Sequence, residues 1–600
     1  MDWTQPSLLC ILKQEGFCSE MAENMEEKVV MTPKCKKENS TTLIIERKAV
    51  DAEASDKIHV AGGDHTGIII NKEKIYENGV SEPCHAQLEF WVYLVSGATG
   101  SHTREARALR FWFKPQTPPN ERSHEAQAFF RELVSPQDFP KDYVGFIKKI
   151  MKLMQHKYDQ LKVLEVELRQ EGCGSPPPET NGVITSKGVV YNYCNGSFIE
   201  DRVSCQTPVI SEQRVLDMIE NAYPNPLTVD YFVQTGKWSK TEVKDALESL
   251  EEKGLTRAMS DGLYIRQHSI DTQVVKQMPT LCSSRQPSIA VVTALYCEKQ
   301  AVDAMMDNQE TYVRYTTVGE SNVYTLGNIG AHRVVTTKLP SVGRTREAMT
   351  AAGNTTTRLL GIFQKVEYVF LVGVGGGVPH YTDYSKHVRL GDVVVSTPAV
   401  DLLDKYVYIF CEKAERNSKG GWDYEVKPYK PSNYLLQDIA LRLTASNTAP
   451  WNTYVDEGFQ RLRGVPGRWE VPEGATDRLT VDIGEGAFIE VSHPAPQGDQ
   501  IDHGACRRVH CAPVGGGRAV AAAGEARAAF AAHARALAYD CELDAVLDSV
   551  VGNRKDCFIS IRGISDYRDG TRGKEWQPHA SLAAAAVMKA IIAAMDPPTD

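Results

Sequence analysis

Four glycines, Gly373, Gly375, Gly376 and Gly377, sit inside the run LVGVGGGVP at residues 371–379. A short apolar strand leads into them, and residues without a Cβ let main-chain N–H groups approach an anion or a hydroxyl closely. The run is not a dinucleotide fingerprint, because G-x-G-x-x-G needs glycine where Val378 stands, and no P-loop lysine follows. A tight strand-to-helix turn would use the same residues, so the flanking segments decide its meaning. Upstream, SIAVVTALYCEKQAVDAMM (residues 288–306) reads as a buried strand to Thr293 and a helix from Glu298, with Ala301, Val302 and Met305 on one face. Glu298 then lies at the carboxyl end of a strand, where α/β folds hold ligands. Downstream, AYDCELDAVLDSV (residues 538–550) reads as a helix bearing Glu542. CFISIRGISDY (residues 557–567) reads as a strand ending in Arg562 and Asp566, and WQPHASLAAAAVMKAII (residues 576–592) as an Ala-rich closing helix. Each charged residue also has a purely structural reading: Asp566 as a cap or ion pair beside Arg562 or Arg568, Arg562 as its partner, Glu542 as a solvated helix residue.

These elements must bring a strand-end glutamate, a glycine run, a helical glutamate and an Arg/Asp strand end together. In this order the set ALYCE, VGVGGGVP, RGISDY and EWQPHA resembles the nucleoside phosphorylase and nucleosidase superfamily, over residues 287–595, about half of the chain. The likeness is greatest to phosphorylase-like domains of multidomain proteins. It implies an α/β, three-layer domain with a mixed central sheet, acting on the N-glycosidic bond of a purine-type nucleoside or nucleotide. It also implies roles. Asp566 would be the general acid at the purine ring nitrogen. Arg562 would orient Asp566 or the nucleophile. Glu542, beside Cys541 where methionine is common, would accept the ribose hydroxyls and stabilise charge developing on the sugar. Glu298 would position the attacking water, as in nucleosidases.

The phosphate site of the resemblance is poorly furnished. Val374 stands where many members have serine and Leu371 where some have arginine, which leaves the N–H groups of Gly375 and Gly376, with Arg344 as a source of charge. Hydrolysis is therefore expected over phosphorolysis, with inorganic phosphate a co-substrate only in the second case and no other cofactor. The base would be lined by Pro513, Val514 and Gly515, with Arg518 nearby. The superfamily builds sites at subunit contacts, so the resemblance implies a homo-oligomer. A rival reading is a nucleoside-sensing or scaffold protein that no longer turns its ligand over.

A chain of 600 residues is expected to hold several domains. A net charge of −10 offers no electrostatic reason for general nucleic-acid binding. No apolar run reaches the ~18 residues of a membrane span, and the amino-terminal segment lacks a basic leader, so an intracellular protein, cytoplasmic or nuclear, is expected. The 14 cysteines are scattered, and Cys506 and Cys511 lack neighbouring histidine pairs, so no metal site is expected and reduced thiols fit best.

Residues 1–83 read as a poorly ordered region with short strands at 41–46 and 66–70. Residues 84–171 read as an α+β region: a strand pair at 86–97 and 108–115, then helices at 123–133 and 141–168. A Pro/Gly linker covers 172–209 and a second linker 269–286. Between them, residues 210–268 offer three helices and a hairpin, which resembles a winged helix. Its third helix carries Lys240, Lys244 and Lys253 against Glu242, Asp245, Glu248, Glu251 and Glu252, and only Arg257 and Arg266 decorate the wing. A net negative helix meets phosphates badly, so a protein partner, through this module or residues 84–171, is expected in place of DNA. The long connection between residues 398 and 508 reads as a lid or binding loop.

Overall fold

The computed structural model describes residues 27–37, 39–49, 58–61, 68–71, 82–95, 102–140, 142–171, 210–259, 262–267, 272–279, 281–282, 285–315, 321–341, 345–401, 403–418, 421–446, 448–484, 487–497, 507–521, 524–540, 543–571 and 573–598. The chain divides into two compact units. One comprises residues 1–199, 380–387 and 478–502; the other comprises residues 200–379, 388–477 and 503–600. The linker expected at 172–209 lies outside the described residues.

The first unit is built on a nine-stranded sheet. Its central strands are Ala86–Val95, His102–Phe113, Leu161–Glu171, Ser40–Ala49 and Glu27–Lys36, each antiparallel to the next. Two expectations are corrected here. Residues 27–49 form two ten-residue strands, continuous with the sheet of residues 86–171, so no domain boundary falls at residue 83. The long helix expected over 141–168 ends at His156, and Leu161–Glu171 is a strand. Its apolar residues suit a helix or a strand equally. What decides is the neighbouring strand, where Arg110 pairs with Glu165 at 2.6 Å and Glu167 at 2.9 Å on one face. On the other face Phe90 and Phe111 meet helix residues Phe130 and Phe129 at 5.3 and 5.8 Å. Part of the supposed loop at 398–508 also belongs here: the hairpin Leu479–Gly484 and Ala487–Val491 pairs with Ala86–Val95.

The second unit starts with helices Glu212–Ala222, Val229–Gly236 and Lys240–Glu252, followed by the hairpin Thr256–Ala258 and Leu263–Arg266. The third helix starts with a capping box: Ser239 Oγ accepts the Glu242 N–H at 3.2 Å and Glu242 Oε2 accepts the Ser239 N–H at 3.0 Å. Val215, Ile219, Phe232, Trp238, Val243, Leu247 and Leu250 close its core. Residues 210–267 form a winged helix. Arg257 is exposed, but Arg266, expected on the wing surface, is only 5% exposed.

The rest of this unit is a mixed α/β body around a thirteen-stranded sheet. Strands His332–Lys338, Ile289–Thr293, Tyr368–Gly377 and Cys557–Asp566 lie side by side and parallel. The Ala-rich helix Gln577–Ala593 is buried along nearly all its length against Ile289, Val291, Phe370, Val372, Ile559 and Ile561. That burial explains its small side chains, which let it lie close to the sheet. Residues 538–550 are not one helix: Ala538–Asp540 is a strand and the helix is Asp544–Gly552. Thr272–Val274, within the expected second linker, joins the sheet beside Asp307–Arg314.

Candidate functional site

The four parallel strands end on one side, and the glycine strand Tyr368–Gly377 outruns its neighbour there. Its pairing with Ile289–Thr293 stops at Val292–Leu371, and the short strand Ala538–Asp540 takes over only at Gly376 and Gly377. The backbone between these points needs other partners, since buried N–H and C=O groups are costly to leave unmade. Two side chains supply them. Glu298 Oε1 accepts the Val374 N–H at 2.8 Å. The guanidinium of Arg562 donates to Leu371 O at 3.2 Å and Val374 O at 3.3 Å.

Glu298 is held from its other side as well. Its Oε2 accepts the N–H groups of Ala294 and Leu295 at 2.7 and 2.8 Å, closing the turn between strand Ile289–Thr293 and helix Tyr296–Asp303. The carboxylate is 2% exposed, and burial raises its pKa above the ordinary glutamate value, opposed by the charge of Arg562 and the three N–H donors. Arg562 is equally enclosed. It forms a 3.0 Å ion pair with Asp540, with both side chains 3% exposed, and its Nε donates to Ser560 Oγ at 3.1 Å. Two carboxylates flank one guanidinium, so the buried cluster carries a net negative charge when both are ionised.

Gly373 explains why this fits. A Cβ there would lie 2.4 Å from Glu298 Oε1 and 2.7 Å from Arg562 Nη1. The other glycines admit backbone. A Cβ on Gly376 would lie 2.3 Å from the Asp569 N, and Gly570, at φ +83°, packs on Gly375. This close approach seats the turn after Asp566. Asp566 Oδ1 accepts three N–H groups from that turn, from Arg568, Asp569 and Gly570, at 2.8, 3.0 and 2.9 Å. The glycine run is therefore an extended strand, not the turn allowed by its composition, and the Val374 N–H faces Glu298.

The fold thus brings Glu298, Arg562, Gly373 and Val374 into contact, with Asp566 held against Gly375 and Gly376. Arg562 pairs with Asp540, whereas the sequence suggests Asp566 as its partner. Val514 and Gly515 lie on the strand Val514–Gly516, next to Ala538–Asp540, with Pro513 just before it. Val514 packs in the apolar core, and a Cβ on Gly515 would lie 3.1 Å from the Tyr539 ring. Arg518 is exposed and contacts Met349 Sδ. Cys541, Glu542 and Arg344 lie outside the described residues. Asp540 is the residue that sequence reasoning missed. Its signal was there, an acidic residue closing the apolar run AY two positions before Glu542, but the segment reads as a helix whose candidate is Glu542, whereas Asp540 closes a strand. Among the described residues no group of three His, Cys, Asp or Glu side chains could hold a metal ion. No described helix is long and apolar enough to cross a membrane.

A family model described as a winged helix-turn-helix domain matches residues 200–268. Over 315 residues, 52% of this chain, the sequence is 27% identical to a nucleotide-binding leucine-rich repeat (NLR)-like protein of Hyaloscypha variabilis; the match spans 29% of that protein's length. Among solved structures, 51% of the chain is similar to 99% of a 5′-methylthioadenosine/S-adenosylhomocysteine nucleosidase from Neisseria meningitidis, at 16% identity and a TM-score of 0.31. A futalosine hydrolase of Helicobacter pylori is similar at 13% identity and a TM-score of 0.30, over 52% of this chain and all of that one.

Proposed function

We propose that the α/β body hydrolyses the N-glycosidic bond of a purine-type nucleoside or nucleotide. The observation that carries this reading is Glu298, a fully buried carboxylate fixed at a strand end by three N–H donors and facing Arg562. A carboxylate has about four acceptor positions, so one remains for a water molecule. In the proposed reaction the water oxygen bonds to C1′ while the C1′–N bond breaks and its electron pair leaves with the base. Asp566 gives a proton to, or hydrogen-bonds, the ring nitrogen, and Glu298 takes the proton that the water loses. Glu542 receives the sugar hydroxyls. The net negative Glu298–Arg562–Asp540 cluster favours the positive charge that builds on the sugar in an oxocarbenium-like transition state.

Water is preferred to phosphate because Gly375 and Gly376, the residues left to offer N–H groups to a phosphate, are packed against Gly570 and the Arg568–Asp569 backbone. A second reading, a nucleoside-binding scaffold without turnover, is favoured by the likeness to an NLR-like protein and by the complete engagement of Arg562 within the protein. The test is release of free base from a panel of nucleosides and nucleotides, with and without phosphate. Release without phosphate that disappears in Asp566→Asn and Glu298→Gln supports hydrolysis. Release only with phosphate replaces it by phosphorolysis, and binding without release supports the scaffold.

A further inference from the structure

The winged helix is left without a task by the hydrolysis reading, yet it packs on the strand ends that flank the candidate site. Lys338 closes strand His332–Lys338, is wholly buried, and donates to Asn221 O at 2.9 Å and Tyr223 O at 3.1 Å, at the carboxyl end of the first winged-helix helix. A cation there meets the negative end of the helix dipole. Asn225 accepts the Ser321 N–H at 2.9 Å and donates to Pro340 O at 3.3 Å. On the loop that follows Asp566, Lys574 pairs with Asp217 at 2.6 Å.

A further contact falls on Tyr296, the residue that opens the Glu298 helix. The Tyr296 ring lies edge-on to Tyr223, with centroids 5.2 Å apart at 79°, and the guanidinium of Arg266 sits 5.0 Å from its centre. Arg266 cannot drift, because its Nε donates to Glu220 at 2.9 Å and its Nη1 to Leu255 O at 2.6 Å. Tyr296 directly follows Leu295, whose N–H holds Glu298 Oε2. The position of the carboxylate therefore depends on a turn clamped from outside by two winged-helix side chains.

We propose that Tyr296 is a positioning residue for Glu298, braced by Arg266 and Tyr223, and that the winged helix is a working part of the catalytic unit. The catalytic consequence rests on the hydrolysis reading; the mechanical one does not. A merely structural role would lower stability and the amount of active protein together, without a selective effect on the turn. The test compares full-length Tyr296→Ala, Arg266→Ala and Tyr296→Phe with the wild type, using steady-state base release and amide hydrogen exchange. Misplacing a reacting group by about 1 Å costs up to ~10²-fold in rate. Tyr296→Ala and Arg266→Ala are expected to lower kcat by roughly 10–100-fold with KM changed less than about threefold. Tyr296→Phe, which keeps the ring contacts, is expected to restore kcat. Exchange at the Ala294 and Leu295 amides should accelerate selectively against Val291 and Val292 in the preceding strand. Unchanged kcat and unchanged exchange in folded Tyr296→Ala overturn the proposal, as does a loss of equal size in Tyr296→Phe. Should Arg266→Ala unfold the winged helix, Tyr296→Ala decides, since it lies in the α/β body. A wild type inert on every nucleoside refutes hydrolysis, while the exchange comparison still decides whether the winged helix clamps the turn.

Discussion

Replacing Gly373 with alanine places a methyl group where two charged side chains already converge. Its carbon would sit 2.4 Å from Glu298 Oε1, 2.6 Å from Glu298 Cδ and 2.7 Å from Arg562 Nη1. Contacts of this kind settle near ~3.5 Å, so one or both side chains must retreat by about 1 Å. Neither is free to do so. Glu298 is tied to the N–H groups of Ala294, Leu295 and Val374, and Arg562 to Asp540, Ser560 and two main-chain carbonyls. Overpacking a closed site costs about 1–3 kcal/mol, which lowers Tm by roughly 1–4 °C in a unit of this size. The same displacement moves the carboxylate off the water position, and kcat for base release should fall about 10²-fold. Differential scanning fluorimetry and the base-release assay read the two effects separately. Gly361→Ala is the matched control: nothing lies within 4 Å of its Cβ, it stands in helix Arg346–Ile362, and alanine there should stabilise by about 0.5–1 kcal/mol. A Gly373→Ala protein with wild-type Tm would refute the packing argument, and one with lowered Tm but wild-type kcat would refute the role given to Glu298.

Asp540→Asn removes the anionic partner of a buried guanidinium and should cost about 3 kcal/mol or more in denaturant unfolding, whereas exposed Asp230→Asn, at the far end of the Lys240 pair, should cost under about 1 kcal/mol. Burial raises the Glu298 pKa above 4.5, so the folded state holds this proton more tightly than the unfolded chain. Its contribution to stability therefore falls as pH rises from the unfolded value through the folded one, and Glu298→Gln should remove that dependence. In base release, the carboxylate must be ionised to take the water proton, so activity should decline on acidification through a pKa above 4.5. His579 behaves with the opposite sign. Burial and Arg507, whose Nε donates to His579 Nε2 at 2.8 Å, lower its pKa from 6.5 to about 4. Stability should fall as pH drops from 6.5 towards 4, and urea titrations across this range should show Arg507→Met softening the loss. The winged helix should show no salt-sensitive duplex binding in a low-salt mobility shift, because its third helix is net negative and Arg266 is buried against Glu220 and Tyr296.

Local pattern was enough for the winged helix, with its caps at Ser211, Thr228 and Ser239 and its helical apolar spacing. It was also enough for the strand ends carrying Glu298 and Asp566, where an apolar run stops at charged residues. It failed at 141–168 and 538–550, where apolar residues satisfy both helix and strand periods and only the neighbouring strand selects one. It found the strand at 41–46 but missed Glu27–Lys36, and it could not give the seat of Ser40–Ala49, whose partner strand Leu161–Glu171 lies more than a hundred positions away.

The amino-acid sequence by itself determined which side chains are available to the site: a glutamate after one strand, an arginine and an aspartate at the end of another, and glycines between them. Only the tertiary structure decided how they are used. The glycine strand extends past its neighbour and leaves main-chain groups unpaired, and Glu298 and Arg562 turn inward to satisfy them. Asp540, not Asp566, then balances the arginine charge. The same holds for the winged helix, whose sequence specifies a module but not its seat. Lys338, Tyr223, Arg266 and Tyr296 meet only once both parts have folded, because each contact joins residues distant in sequence and is made by burying a charge or a ring.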